Sequence, residues 1–193
     1  MNQITVRTSS KTYDIFVGRG LRNDLLTYLN PIVKSKNVFV ITDSNVFPLY
    51  FEEIRSVLQE GGYQVFHTVL PAGEEHKNMQ TVLSIYEKMA TAKIRRSDLV
   101  IALGGGVVGD IAGFCAASYM RGIPFIQIPT TLLAQVESSI GGKTGVDLSA
   151  GKNLVGSFWQ PSLVVIDIDT LKTLPQIQIK SGLAEIIKSA FIA

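Results

Sequence analysis

A run of glycines in the middle of the 193-residue chain has the pattern of a phosphate-binding turn. Residues 103–110 read Leu-Gly-Gly-Gly-Val-Val-Gly-Asp and follow an apolar stretch of strand length at 98–103. Residues 107–120 then carry the apolar and small residues of a helix. Glycines let the backbone approach phosphate oxygens, and a helix start offers free N–H groups. This strand, turn and helix therefore predict a phosphate cradle.

The same glycines fit a dinucleotide-binding pattern, but only in part. Gly104, Gly106 and Gly109 satisfy G-x-G-x-x-G, although such turns also serve merely to pack a helix closely on a sheet. No carboxylate that could hold a ribose follows about 20 residues later, whereas Asp43 ends an earlier strand. If a dinucleotide binds, we expect Asp43 to contact its ribose, at a site that differs from the standard Rossmann one.

The elements around the turn predict an α/β fold with a Rossmann-like parallel sheet and helices on both faces, because strands alternate with helices of ten or more residues. Residues 4–6 and 13–17 predict a small N-terminal β-hairpin. Ligands of such sheets bind beyond the carboxyl ends of the strands, where polar side chains should converge. Those side chains are Asp43, Glu74, Lys77, Asp110, Thr130 and Thr131. The alternatives are a solvated loop for Glu74 and Lys77, and helix-dipole complementation for Asp110.

Two glycine–lysine pairs follow, at Lys143 and Lys152. Residues 141–144 read Gly-Gly-Lys-Thr, like the end of a P-loop, but Glu137 stands where that motif needs its first glycine, which argues against a nucleoside triphosphatase. One such pair would be an ordinary turn. Two pairs within about a dozen residues favour anion binding.

Glu185 and Lys188 share one face of a helix predicted over residues 181–193. A surface ion pair is the simple interpretation. Apolar neighbours indicate instead that the helix is substantially buried, so that this pair would need a metal ion or a substrate as partner. His67 and His76 lack metal-ligand spacing to Glu185, which leaves one credible metal ligand.

Composition indicates a globular protein, with 46% hydrophobic and 18% charged residues. A formal charge of +2 without a basic block suggests neither nucleic acid nor a membrane surface as partner. The single Cys115 is expected to be a core residue in a cytoplasmic protein. The last predicted helix has no cap or terminating proline, so we expect a truncated chain.

Taken together, these motifs resemble the 3-dehydroquinate synthase family over essentially all 193 residues. The segments that carry the resemblance, in order, are 104–110 (GGGVVGD), 119–122 (YMRG), 128–135 (IPTTLLAQ), 141–145 (GGKTG), 151–153 (GKN), 171–175 (LKTLP) and 182–188 (GLAEIIK).

The resemblance implies an NAD-binding α/β domain over residues 1–175 and the start of a helical C-terminal domain over 176–193, most of which is absent from this chain. It implies conversion of 3-deoxy-D-arabino-heptulosonate 7-phosphate (DAHP) to 3-dehydroquinate and phosphate in the shikimate pathway. NAD is reduced and regenerated within one turnover, and a divalent metal, zinc or cobalt, polarises the hydroxyl that is oxidised. It also implies a homodimer.

The resemblance further assigns roles to single residues. Lys143, Asn153, Lys188, Arg121 and Glu137 are implied to be catalytic or substrate-binding, with Arg121 reaching the phosphate site of a neighbouring subunit. Glu185 is the implied metal ligand. The residues implied around NAD are Asp43, Glu74, Lys77, Gly105, Gly106, Asp110, Thr130, Thr131, Lys143, Lys152, Thr170 and Thr173.

Two departures from the family pattern matter. The family usually has Asp where this chain has Glu137, and the extra methylene moves an implied substrate contact. The family's two histidine metal ligands should lie in the second domain, so we expect this chain to be inactive alone. The alternatives are a related sugar-phosphate cyclase, a metal-dependent polyol dehydrogenase, or a nucleotide-binding module without catalysis.

Overall fold

The computed structural model describes residues 1–192. The strands are β1 (Asn2–Arg7), β2 (Thr12–Gly18), β3 (Asn37–Asp43), β4 (Gln64–Leu70), β5 (Leu99–Gly104), β6 (Phe125–Pro129), β7 (Lys143–Leu148), β8 (Gly151–Phe158) and β9 (Leu163–Asp167). The α-helices are α1 (Leu25–Leu29), α2 (Glu52–Glu60), α3 (Met79–Thr91), α4 (Gly106–Ser118) and α5 (Gln176–Ile192). Short helical turns lie at Phe47–Phe51, Glu74–His76, Tyr119–Arg121, Ala134–Ser138 and Ile168–Thr173.

The main sheet has seven strands in the order β1-β2-β9-β6-β5-β3-β4. Its neighbours pair in parallel except β1, which forms the antiparallel hairpin with β2. The predicted parallel sheet and N-terminal hairpin are therefore confirmed. The hairpin is part of the main sheet, because β2 pairs with β9.

The two faces of the sheet bury separate apolar clusters. Val38 and Val40 pack with side chains from α1 and α2 on one face, whereas Phe39 and Ile41 pack with α3 and α4 on the other. Successive residues of a strand point to opposite faces, so a continuous apolar run indicates a strand covered on both sides. The predicted helices on both faces are confirmed, and Cys115 is a buried core residue, as expected.

A separate antiparallel hairpin, β7–β8, packs beside α4. Lys143, Lys152 and Asn153 belong to these strands, which the sequence analysis did not predict, so neither glycine–lysine pair is merely an ordinary turn. The glycines have another function here: Gly145 pairs with Gly156, and a Cβ on Gly156 would lie 2.1 Å from the Thr144 carbonyl oxygen. Glycine permits this close approach of two backbones.

The last helix also differs from its prediction. Helix α5 begins at Gln176, five residues before the predicted start, and residue 193 lies outside the described residues. Gly182 is its one buried residue, while Ile187 is 56% exposed, so the predicted burial was wrong. The apolar pattern exists, but within residues 1–192 the helix packs mainly where Gly182 meets Leu132. None of the described helices combines the length and apolarity that a membrane crossing requires.

Candidate functional site

The carboxyl ends of three neighbouring parallel strands bring the predicted polar residues to one edge of the sheet. Strand β5 lies between β3 and β6, with Thr42 in register with Leu103 and Gly104 in register with Pro129. Asp43 ends β3, Gly105 and Gly106 follow β5, and Thr130 and Thr131 follow β6. This edge is therefore the place where a ligand of the sheet would bind.

The glycine turn combines close packing with a free helix start. A Cβ on Gly105 would lie 3.0 Å from Thr131 Cγ2, and one on Gly106 would lie 3.0 Å from Ser138 Oγ. No side chain caps α4, whose N-cap is Gly105. The turn therefore packs closely on its neighbours and also brings the uncapped N–H groups of α4 to the sheet edge, as a phosphate cradle would require.

Lys77 lies at the centre of the site. Its Nζ is 2.6 Å from Asp110 Oδ2 at the start of α4 and donates to Asn153 Oδ1 of β8 over 2.6 Å. The residue is only 4% exposed, which contradicts the solvated-loop interpretation for Lys77. Its loop ends at the N-cap of α3, where Asn78 Oδ1 accepts a hydrogen bond from the Thr81 amide.

Asp110 is itself partly buried, and this burial affects the pKa of its carboxyl group. Desolvation raises the pKa of the Asp110 carboxyl above its usual value, and the bond from Lys77 acts in the opposite direction. The negative charges of Glu137 and Glu74 raise that pKa further. Asp110 therefore depends on Lys77 as its counter-ion, beyond any complementation of the helix dipole.

The other carboxylates of the edge also have partners, either a lysine or backbone N–H groups. Glu74 Oε1 lies 3.3 Å from Lys152 Nζ, and Glu137 Oε1 lies 3.0 Å from Lys143 Nζ. Asp43 Oδ1 accepts the backbone N–H groups of Asn45 and Val46 at 2.8 and 3.0 Å, which fixes the turn after β3. One carboxyl oxygen of Asp43 thus has a structural role.

A cleft of about 490 Å³ opens beside these pairs. Its walls come from α4, the Ala134–Ser138 turn and the β7–β8 hairpin, and they include Asp110, Glu137, Ser138, Lys143, Thr144, Asn153 and Phe158. Both cations and carboxylates line the cleft, so a phosphorylated polyol could find donors and acceptors on the same surface.

The four threonines of the predicted site have different environments. Among residues 1–192, Thr130 Oγ1 and Thr42 Oγ1, the latter near the end of β3, are buried without a hydrogen-bond partner. Thr131 Oγ1 instead accepts the Ala134 amide. Thr170 Oγ1 bonds Gln135 and the Asp167 carbonyl, and Thr173 Oγ1 bonds the Tyr50 hydroxyl. Thr130 therefore has hydrogen-bonding capacity for a ligand, whereas Thr170 and Thr173 help to hold the sheet edge.

Sequence reasoning missed a buried polar network behind this edge. Asp167, fully buried at the end of β9, accepts the Gly20 and Asp169 amides at 3.0 Å each. It also pairs with Arg22 Nε at 3.0 Å, and the Arg22 guanidinium lies over the Tyr50 ring. A carboxylate at a strand end is visible in the sequence, but its partner 145 residues away is not.

Three predicted residues lie apart from the paired cluster. Arg121 follows the C-terminus of α4, so it is exposed at the opposite, amino edge of the sheet. Glu185 and Lys188 form an ion pair on α5. The hydrogen bond to Glu185 raises the pKa of Lys188 above its usual value. Helix α5 packs against the Ala134–Ser138 turn, which also forms one wall of the cleft.

Comparison with known proteins identifies the family. The family model described as 3-dehydroquinate synthase N-terminal matches residues 67–181, which include the glycine turn, Lys77 and the β7–β8 hairpin. The chain belongs to this family. The 3-dehydroquinate synthases of Latilactobacillus sakei subsp. sakei and Symbiobacterium thermophilum are each 50% identical to it, over 98% and 93% of the chain. These alignments cover 54% and 51% of the relatives, so the chain spans about half their length.

Solved structures of sugar-phosphate cyclases share the fold. A 2-deoxy-scyllo-inosose synthase complexed with carbaglucose-6-phosphate, NAD+ and Co2+ has a TM-score of 0.91 at 28% identity, covering 97% of this chain and 51% of that one. The 2-epi-5-epi-valiolone synthase of Streptomyces hygroscopicus subsp. jinggangensis, with NAD+ and Zn2+ bound, has a TM-score of 0.84 at 33% identity, covering 95% and 50%. The fold of this 3-dehydroquinate synthase family member is thus confirmed as dehydroquinate synthase-like.

Proposed function

We propose that the chain is the NAD-binding half of a 3-dehydroquinate synthase, which converts DAHP to 3-dehydroquinate and phosphate in the shikimate pathway. The observation that carries this proposal is the 50% identity to a curated 3-dehydroquinate synthase over 98% of the chain. Identity to the two related cyclases is 28% and 33%. On the same grounds we propose residues 1–175 as the cofactor domain and 176–193 as the start of a helical domain.

The residues at the sheet edge fit NAD. Buried, unpartnered hydroxyls on Thr42 and Thr130 can bond a ligand, and the glycine turn leaves the start of α4 uncapped. We assign the pyrophosphate to Gly105 and Gly106. The other cofactor residues proposed are Asp43, Glu74, Lys77, Asp110, Thr130, Thr131, Lys143, Lys152, Thr170 and Thr173. NAD, when bound, supplies a hydride acceptor that returns the hydride later in the turnover.

The cleft beside this edge is the proposed substrate site. Lys143 and Asn153 line it, and Lys188 belongs to α5, which packs against the Ala134–Ser138 wall. We propose that these three residues bind the phosphate and hydroxyl groups of DAHP. Glu137, paired with Lys143, sets the direction of that lysine. Arg121 is exposed at the far edge, which is consistent with a role in a neighbouring subunit of a cytoplasmic homodimer.

The metal of the family does not fit the described residues by themselves. No group of three or more His, Cys, Asp or Glu side chains that could hold a metal occurs within residues 1–192. Zinc and cobalt sites in proteins need three or four such ligands. Glu185 is proposed as one ligand, and no step of the reaction is assigned to it.

The proposal is tested by titrating NAD into this chain by calorimetry and by assaying phosphate release from DAHP with added zinc. We expect binding without phosphate release. Lys152→Ala should weaken binding, while Lys34→Ala, which removes an exposed lysine before β3, should not. Absence of NAD binding by the folded chain would contradict the cofactor assignment. Phosphate release would contradict the proposal that this chain carries only part of the active site.

A second candidate is a nucleotide-binding module without catalysis, favoured because residues 1–192 contain no group of three or more side chains that could hold a metal. The two possibilities differ in their response to a substrate analogue. A cofactor domain of the synthase should bind the unreactive substrate analogue DAHP phosphonate more tightly when NAD is present. A nucleotide-binding module without catalysis should not bind this analogue, with or without NAD.

A further inference from the structure

The ladder of the β7–β8 hairpin breaks at Asp147. Val146 pairs with Val155 and Leu148 pairs with Gly151, so one residue of β7 faces three residues of β8. Such a bulge leaves backbone groups of the longer strand without ladder partners. The bulged residues include Lys152 and Asn153, both of which belong to the proposed site.

The Asp147 side chain takes the place of the missing ladder partner. Its Oδ1 accepts the Asn153 backbone N–H over 2.7 Å. Asn153 has φ +55°, a left-handed conformation that asparagine tolerates better than most residues but that still needs support. The carboxylate of Asp147 thus holds Asn153 in an otherwise unfavourable backbone conformation.

Asp147 also ties the hairpin to the loop that carries Lys77. Its backbone N–H donates to the Lys77 carbonyl over 2.8 Å, and the neighbouring Asn78 forms an isolated bridge with it. Lys77 Nζ in turn donates to Asn153 Oδ1 over 2.6 Å. Three hydrogen bonds therefore close a ring through Asp147, Asn153 and Lys77.

We propose that Asp147 is a positioning residue that fixes Asn153 and Lys77 at the junction of the cofactor edge and the cleft. Asn153 lines the cleft, and Asp147 lies behind it, one hydrogen bond away. The inference rests on the proposed function, since it assigns Asp147 an effect on NAD binding. A fixed Asn153 side chain holds Lys77 Nζ beside Asp110, so that the lysine does not move with its loop.

The first test is a pair of substitutions followed by NAD calorimetry. Asp147→Ala should raise the Kd for NAD about tenfold, as expected for the loss of a hydrogen bond to a charged group. Asp147→Asn keeps an oxygen acceptor and should restore the Kd to within about threefold. Asp98→Ala is the matched control, because Asp98 also accepts a backbone N–H, that of Arg95, over 2.7 Å at the amino edge. Asp98→Ala should lower thermal stability without changing the Kd of the folded chain for NAD.

The second test asks whether Asp147 acts through Asn153. In a double-mutant cycle, Asp147→Ala should change the Kd by less than about twofold when Asn153→Ala is already present, because interacting residues are not additive. The amide proton of Asn153, followed by NMR, should move upfield in Asp147→Ala and stay in place in Asp147→Asn.

The outcomes separate the two proposals. If the folded wild-type chain does not bind NAD, the proposed cofactor role fails, and the effect of Asp147 on it fails as well. If the wild type binds NAD but Asp147→Ala binds equally well, or the Asn153 amide is unmoved, the positioning role is overturned and the proposed function stands.

Discussion

Lys77 shows how one side chain can organise a site from a loop. A buried ammonium is costly unless a carboxylate and hydrogen-bond acceptors surround it. Asp110 and Asn153 supply these partners from a helix and from a hairpin strand. The lysine therefore holds three separate elements together at the edge where the strands end.

The first prediction concerns the loss of this lysine. Lys77→Met should lower the free energy of unfolding by about 3 kcal/mol, because it leaves Asp110, whose side chain is only 22% exposed, as a charge without its partner. Lys143→Met is the matched control, since Lys143 is 66% exposed in its pair with Glu137 and should contribute less than about 1 kcal/mol. Urea denaturation measures both, and equal losses would contradict the central role of Lys77.

The second prediction follows from the raised pKa of Asp110. The folded chain keeps this proton at pH values where the unfolded chain has lost it, so the stabilising contribution of Asp110 is complete below its usual pKa of about 4. It is lost as the pH rises through the raised folded pKa. The stability of the wild type relative to Asp110→Asn, from urea denaturation at several pH values, should therefore fall from about pH 4 upward. A rise would mean that Lys77 outweighs burial and depresses the pKa.

At the scale of elements, the β7–β8 hairpin is where sequence reasoning failed. Gly-Gly-Lys-Thr-Gly and Gly-Lys-Asn have turn composition, and local propensity gives no sign that Gly145 and Gly156 face each other across two strands. Anion binding by the lysines is predicted from their types and spacing and stays a prediction. Their support could not, because it depends on pairing between strands and on Asp147, whose importance appears only with the bulge.

The third prediction tests the close approach of these strands. Gly156→Ala would place a Cβ 2.1 Å from the Thr144 carbonyl oxygen, so the strands must separate, at a cost of about 2 kcal/mol in unfolding free energy. NAD affinity should fall with it, because Asn153 and Lys152 share β8. Gly151→Ala in the same strand meets only the flexible end of Leu154, at 3.2 Å, and should change stability by less than about 1 kcal/mol. Thermal denaturation and calorimetry of the two variants check this contrast.

At the scale of the whole molecule, apolar runs and glycines were sufficient to predict the sheet. The run at β5 is buried on both faces, and the polar residues after β3, β5 and β6 meet at one edge because parallel strands share their direction. The burial of α5 was predicted wrongly. An apolar pattern indicates that a helix can be buried, but it does not indicate whether residues 1–192 contain an element that covers the helix. Ion pairs such as Asp167 with Arg22 join distant segments, so no local pattern contains them.

The last prediction uses the fact that the proposed cofactor site spans much of the molecule. Its residues come from the end of β3, the loop before α3, the start of α4 and the β7–β8 hairpin, so the site exists only when these elements are assembled. A ligand that binds only the folded state stabilises it, by about 2.7 kcal/mol at a concentration of one hundred times Kd. For a chain of this size that corresponds to a rise in Tm of roughly 5–10 °C. Thermal denaturation at increasing NAD should show this rise, and at the same NAD concentration Lys152→Ala should show a smaller one. A Tm that does not depend on NAD would mean that the assembled edge is not the cofactor site.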